Sequence, residues 1–451
     1  MLHVNTKDNE NRRRRRDRPL GLSNRKGTNL KVCPYSVVLG GGFQMKYIVL
    51  VGDGMGDFPV KELGNRTPLQ AARIPNMDRL SQNGILGLVK LTPDGFYPGS
   101  DVTQLSLLGY DPGKCYTGRS PLEAASIGVK LAPDEVAYRC NLVTLMRGGE
   151  YISDRLSDDV VMDDYSGGHI NTEEARELIL SLDRELGGND IRFYPGVSYR
   201  HLFIWKNGET EVKCTPPHDF TGKPVKGRLP IGKGDEFLVS TMEKALKVLL
   251  DHPVNRKRRE RGDKMANGIW LWGQGKLPRI EGFYSKYGLH GSMIAAVDLM
   301  RGIGKYAGFD IVDVPGATGY LDTNYRGKAE YALRELQKRD IVYVHIEAPD
   351  EAGHNGNTLG KVKAIEEIDE KVVGVILDGM KQMGPFRILI LCDHSTPVSL
   401  KTHTPEPVPF ILYDSGEAKR SGRVYDEDNA KESGMFIEDG TRLIDMLISK
   451  L

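Results

Sequence analysis

The pattern of apolar and polar positions becomes strong at Met45. Tyr47-Ile48-Val49-Leu50-Val51 is a short β-branched run that stops at Gly52-Asp53-Gly54. A strand covered on both faces reads as such a continuous run, and a parallel one delivers a polar loop at its carboxyl end. Two later runs have the same form. Ile341-Val342-Tyr343-Val344-His345-Ile346 stops just before Asp350, and Ile388-Leu389-Ile390-Leu391-Cys392 stops at Asp393. Between them Val362, Ile365, Ile368, Val372 and Ile376 recur at helical spacing, which predicts an amphipathic helix. A further helix is expected from Thr67 to Leu80, interrupted by Pro75. Strand, helix, strand with acids at the strand ends is the pattern of an open α/β sheet whose site lies at its carboxyl edge.

The middle of the chain reads differently. Tyr138 to Leu145 and Arg200 to Trp205 look like strands, whereas Thr172 to Leu186 and Glu236 to Leu250 look like helices. Arg256-Lys257-Arg258-Arg259, after Pro253, reads as a solvated surface loop; no aromatic residues are interleaved with it to make a nucleic-acid patch. The simplest organisation is one α/β domain split in sequence, residues 45–119 and 286–451, around an inserted smaller α+β domain, residues 120–285.

Composition sharpens this picture in three ways. No apolar run of about 18 residues occurs, so no membrane-spanning segment is expected. Five scattered cysteines without a CxxC pair support neither a disulfide framework nor a zinc knuckle, and a reducing cytoplasm is the simplest location. The formal net charge of +1 hides a split. Residues 1–44 hold ten Lys+Arg and three Asp+Glu, including an unbroken run from Arg12 to Arg16, and read as a disordered basic tail. The remainder has 52 Lys+Arg against 58 Asp+Glu, so no nucleic-acid partner is expected for the folded body.

Four motifs place metal-type ligands straight after strands. Asp53 lies in Val-Gly-Asp-Gly-Met-Gly-Asp, Asp350 and His354 form Asp-x-x-x-His, Asp393 and His394 are adjacent before Ser-Thr-Pro, and His403 follows in Lys-Thr-His-Thr-Pro. Each alone is weak, because an Asp-Gly after a strand is more often a turn than a ligand. Together they offer three carboxylates and three imidazoles, which suits two divalent ions, Mn, Mg or Zn, sharing a phosphate and a nucleophile. Ser100 follows Pro98-Gly99 at the start of a helix expected from Asp101 to Leu108. Backbone N–H groups there stabilise an anion, so Ser100 is either a helix cap or a nucleophile for phosphorus. No GxxxxGK[ST] loop, G-x-G-x-x-G turn or G-x-S-x-G elbow is present.

In their order, Asp53, Ser100, Asp350/His354, Asp393/His394 and His403 resemble the alkaline phosphatase superfamily. More narrowly, the segments 51–57, 67–72, 75–80, 98–101, 108–112, 116–119, 139–141 and 270–275 are similar to the archaeal-type 2,3-bisphosphoglycerate-independent phosphoglycerate mutases. The resemblance covers essentially residues 45–451. It implies an alkaline-phosphatase-like doubly wound sheet, no need for 2,3-bisphosphoglycerate, and two metal ions. One would be held by Asp53, Ser100, Asp393 and His394, the other by Asp350, His354 and His403. It implies a phosphoserine on Ser100, with Lys286 near the nucleophile. Arg139, Arg200, His201 and Asp101 are the candidate contacts for a small phosphorylated substrate. The segment Asp164-Tyr165-Ser166-Gly167-Gly168-His169-Ile170 departs from a more basic family pattern and looks like a homoserine-kinase-like branch. The expected activity is therefore interconversion of 3- and 2-phosphoglycerate. The alternatives are a small-alcohol phosphotransferase or a metal-dependent phosphatase on the same scaffold.

Overall fold

The computed structural model describes residues 44–449 except 418. The basic tail expected over 1–44 therefore lies, but for its last residue, outside the described residues. The strand Lys46–Gly52 is the centre of an eight-stranded sheet, paired in parallel with Ile341–Ile346 on one side and Phe386–Leu391 on the other. Beyond Ile341–Ile346 lie Gly291–Ile294 and Asp310–Ile311, both parallel. Beyond Phe386–Leu391 lie Val408–Asp414, Ile85–Val89 and Phe436–Ile437. The α/β expectation holds, with one addition: Val408–Asp414 runs antiparallel to both its neighbours, so the sheet is mixed. Ile48, Val49, Leu50 and Val51 are all fully buried, as expected for a central strand with both faces covered.

The predicted 67–80 helix is two helices, Pro68–Ala71 and Pro75–Asn83, each starting on a proline whose missing N–H costs nothing at that position. Thr67 closes a capping box with Gln70. The predicted 362–376 helix is interrupted by a π turn, Ile368–Val373, set between Thr358–Glu367 and Gly374–Met380. There the buried Asp369 accepts backbone N–H groups of Asn76 and Met77, satisfying orphan donors at the start of Pro75–Asn83.

A second sheet is built entirely within residues 135–276. The strands Gly268–Lys276, Glu135–Arg147, Arg200–Lys206 and Ile191–Val197 lie in that antiparallel order, with Glu150–Tyr151 and Val161–Asp164 added along the long strand. Thr172–Leu186 and Asp235–Leu249 pack their apolar faces into a core with Leu142, Phe203 and Trp270. The basic run differs from expectation. It lies in a helix, Pro253–Glu260, capped by His252, and Arg258 is buried rather than solvated. Its guanidinium bonds Glu174 Oε2 at 2.6 Å, Gly167 O at 2.8 Å and Lys264 O at 2.9 Å. Helical spacing turns one of four basic residues inward, where a carboxylate and two carbonyls satisfy it. None of the helices searched is long and apolar enough to cross a membrane.

Candidate active site

Parallel register brings the site together. Gly52 lies beside Ile346, and Val51 beside Leu391, so the residues leaving these strands emerge about one strand spacing apart. Asp53, Glu347 and Asp393 are thus delivered to one edge. Gly54 makes the turn at φ 64°, and a Cβ there would lie 2.7 Å from Asp350 Cα. Only glycine accommodates both the angle and the approach.

Ser100 is the first residue of the helix Ser100–Leu107, and Gly99 occupies the cap position. The helix begins one residue earlier than expected, so Ser100 is not the cap. Its Oγ lies 3.1 Å from His394 Nε2 and donates to Asp53 Oδ2 at 3.5 Å. Asp393 accepts from Thr103 Oγ1 at 3.1 Å and Gln104 Nε2 at 3.0 Å, both on the Ser100 helix. That helix therefore fixes both the hydroxyl and the carboxylate beside it. Asp350 and His354 sit one turn apart on Ala348–His354, with His354 Nε2 3.2 Å from Asp350 Oδ2. His403 Nε2 lies 2.9 Å from His354 Nε2 and 3.4 Å from Asp350 Oδ1, and its ring stacks on His394 at 3.9 Å. All seven residues expected as ligands, Asp53, Ser100, Asp350, His354, Asp393, His394 and His403, are in one cluster.

Like charges crowd here. Burial, then Asp393, Glu347 and Asp350, push the Asp53 carboxyl well above its ordinary range. Burial also pushes Glu347 up to about 8. Burial pushes Asp350 upward too, but hydrogen bonds with His354 and His403 outweigh it and hold this carboxyl well below the usual range. The hydrogen bond to Asp350 in turn raises His354 to about 9. Asp53 Oδ1 and His403 Nδ1 are buried with no hydrogen-bond partner. Crowded carboxylates with unpartnered oxygen and imidazole nitrogen are a donor set suited to divalent cations. Three groups have the required closeness, one atom of each residue lying within 4.8 Å of the others: Asp53/Asp393/His394, Asp350/His394/His403 and Asp53/His345/Glu347.

A cavity of about 840 Å³ runs from Glu347 and Glu351, at the rim of this cluster, to the wall of the second sheet. Arg139, Arg200 and His201 line it, together with Arg119, Asn141 and Trp272. Arg139 is buried, lies over the Trp272 ring at 4.2 Å and pairs with Glu123 at 3.0 Å; burial lowers its pKa to about 10. His201 Nδ1 accepts from Gly196 N, its Nε2 is unpartnered, and burial lowers its pKa to about 3. Two expected residues are placed elsewhere. Asp101 is not on the cavity wall: one oxygen accepts from Tyr116 OH at 2.5 Å and the other from Val102 N. Lys286 donates to Gly109 O between the rings of Tyr110 and Tyr287, and no described contact joins it to Ser100. A short helix, Phe283–Tyr287, turns it into that aromatic slot.

The sequence reading missed four residues of this site. His345 and Glu347, two apart at the end of one strand, face Asp53. Thr396 Oγ1 donates to Asp350 Oδ1 at 2.5 Å. Lys361, fully buried, donates to Gly56 O, Asp57 Oδ2 and Thr396 O at 2.8–2.9 Å. It ties the loop carrying Asp53 to the loop carrying Asp393. The available signal was its position four residues before Ile365, on the inward face of an otherwise apolar helical stripe.

Residues 81–255 match the family model described as 2,3-bisphosphoglycerate-independent phosphoglycerate mutase. A Methanosarcina acetivorans protein of that name is 51% identical over 407 residues, covering 90% of this chain and 100% of its own. The solved structure of a Pyrococcus horikoshii protein aligns with a TM-score of 0.74 at 29% identity, covering 90% of this chain and 97% of that one. The cofactor-independent phosphoglycerate mutase of Thermoplasma acidophilum aligns at 0.63 and 28% identity, covering 90% and 99%. With 51% identity over 407 residues to a relative matched along that relative's full length, and the same fold as a solved member, this chain belongs to the 2,3-bisphosphoglycerate-independent phosphoglycerate mutases.

Proposed function

We propose that this chain interconverts 3-phosphoglycerate and 2-phosphoglycerate through a phosphoserine on Ser100, without 2,3-bisphosphoglycerate. The observation that carries this reading is Ser100 Oγ at a helix start, between His394 and Asp53, facing a histidine–carboxylate cluster. One cation is assigned to Asp53, Ser100, Asp393 and His394, and a second to Asp350, His354 and His403. Divalent Mn, Mg or Zn would supply positive charge to the phosphoryl oxygens and favour the ionised serine.

Ser100 Oγ forms a bond to phosphorus as the bond from phosphorus to the glycerate C3 oxygen breaks. The proton lost by Ser100 balances the one gained by the departing oxygen. In the return step the C2 hydroxyl loses its proton, attacks the phosphoserine and releases Ser100 as the free alcohol. The N–H groups at the first turn of Ser100–Leu107 favour the anion developing there. Arg139 and Arg200, with His201, are assigned to the glycerate carboxylate, holding the dephosphorylated acceptor in the cavity between the two half-reactions. The segments 45–119 and 286–451 then act as the phosphotransfer domain, and 120–285 as the domain that retains the acceptor.

The test is enolase-coupled turnover of 3-phosphoglycerate with Mn²⁺ and no bisphosphoglycerate. Product consumed by enolase is expected, and Ser100→Ala should abolish it. Release of inorganic phosphate alone would make the chain a phosphatase. Inactivity there together with phosphorylation of homoserine from ATP would make it a small-alcohol kinase.

A further inference from the structure

The segment 164–170 brings no lysine or arginine to the cavity wall, yet its backbone is held with unusual care. It leaves the strand Val161–Asp164 in a tight turn, where Asp164 Oδ1 accepts from Ser166 N at 2.8 Å and Ser166 Oγ at 2.6 Å. Three successive residues then adopt left-handed backbone: Gly167 at φ 59°, Gly168 at φ 68° and His169 at φ 48°. A residue with a side chain rarely does so, and such a conformation persists only where its surroundings over-determine it. Here the buried Arg258 supplies that constraint, because its guanidinium donates to Gly167 O and Lys264 O while Glu174 holds its other edge.

The side chain this loop delivers is Tyr165, half-buried on the cavity wall. Its carbonyl accepts from Asn141 Nδ2 at 3.2 Å, and Asn141 Oδ1 accepts from Trp272 Nε1 at 3.0 Å. Its backbone is thereby tied to the indole on which Arg139 stacks. Its ring meets Tyr199 edge-on at 5.5 Å and His218 at 6.2 Å, and Arg200 lies over Tyr199 at 4.9 Å. The wall that carries both arginines therefore also carries a phenol. Burial and Tyr199 hold that phenol above its ordinary range, so it keeps its proton at neutral pH. Guanidinium groups suit anionic oxygens and have no acceptor, whereas a phenol both donates and accepts and so suits a neutral hydroxyl.

We propose that Tyr165 is a specificity-determining residue of the acceptor end, its hydroxyl hydrogen-bonded to the free C2 hydroxyl of 3-phosphoglycerate. The assignment rests on the phosphoglycerate reading above. It divides the acceptor between two kinds of group: the arginines take the carboxylate, and Tyr165 takes the alcohol that later attacks the phosphoserine. A site built to pair with a hydroxyl discriminates against an analogue that lacks it, because the site's own polar group is then left unpaired.

Calorimetry on the full-length Ser100→Ala chain with Mn²⁺, where no turnover occurs, tests this with two ligands. These are 3-phosphoglycerate and 3-phosphonooxypropionate, which is the same molecule without the C2 hydroxyl. Adding Tyr165→Phe, which removes one oxygen from a half-buried ring, should weaken 3-phosphoglycerate about tenfold and leave the analogue within about twofold. Equal or greater weakening of the analogue would make Tyr165 a shaping residue only and overturn the assignment. Unchanged binding of both ligands would overturn it too, while leaving the mutase reading intact. A Ser100→Ala chain that binds neither ligand, together with a wild-type chain inactive in the enolase-coupled assay, overturns the phosphoglycerate reading and this assignment with it.

Discussion

The two ends of the site bury charge in opposite ways. At the edge of the large sheet, Asp393 and Asp350 are held by polar contacts from several separate elements: the Ser100 helix, the loop after Phe386–Leu391, and His403. At the wall of the second sheet, Arg139 has one carboxylate and one indole face, His201 Nε2 is buried without a partner, and both residues line a cavity of about 840 Å³. On the proposed function, the phosphoryl end is thus organised before anything binds, while the acceptor end has fewer bonds within the chain and more room. Preorganisation matters most where charge develops, and an intermediate that must turn over in place needs room.

Breaking the organised end should cost most. Ser100→Ala should lower coupled turnover by about 10⁴-fold or more, because no other described hydroxyl occupies its place between Asp53 and His394. Asp393→Asn should lower kcat by about 10²–10³-fold and also reduce bound Mn²⁺, read by elemental analysis of the dialysed protein. Lys361→Met leaves Asp57 buried without its partner and should cost about 3–5 kcal/mol in urea unfolding, with partial recovery in Lys361→Arg. At the open end, Arg200→Ala should raise KM for 3-phosphoglycerate by about 10–100-fold while metal content stays at the wild-type value. Loss of metal there would erase the contrast between the two ends.

The smallest effect concerns pH. His201 is held neutral, with its pKa at about 3 in the fold against 6.5 when unfolded. The unfolded chain therefore binds the extra proton first as pH falls below 6.5. Each pH unit between 6.5 and 3 should then remove about 1.4 kcal/mol of stability. The difference in urea midpoint between wild type and His201→Phe, followed from pH 7 to pH 5, should show this slope; a flat difference would mean that the ring is not held neutral.

The residues legible in the sequence were those whose chemistry sits outside an apolar run. Asp53, Asp350 and Asp393 announced themselves because each follows a buried strand. His345 did not, because it falls inside such a run and its neighbours account for the burial. Lys361 and Arg258 were hidden differently. Both are basic residues on amphipathic helices, where a long side chain normally reaches water, and only tertiary partners show that they turn inward. The direction of Val408–Asp414 was also illegible, since a strand buried on both faces has the same composition whichever way it runs. The contacts of Lys286 with Gly109 and of Asp101 with Tyr116 were not legible either, because a few residues of local backbone decide which slot a side chain enters.

One consequence concerns the order in which the chain can assemble. The central strand Lys46–Gly52 is made first, yet Lys46 bonds Arg339, 293 positions later, and both strands that flank it come later still than the whole second sheet. At roughly 5–20 residues per second, that strand waits on the order of a quarter of a minute to a minute for its partners after leaving the ribosome. The segment 135–276, whose pairings are all internal, has no such wait. On this timetable the segment 135–276 can pair while Lys46–Gly52, with Ile48, Val49, Leu50 and Val51 fully buried in the finished sheet, is still unpaired. Nascent-chain capture of Ile48–Val51 by a chaperone is then the step most exposed to competition from aggregation.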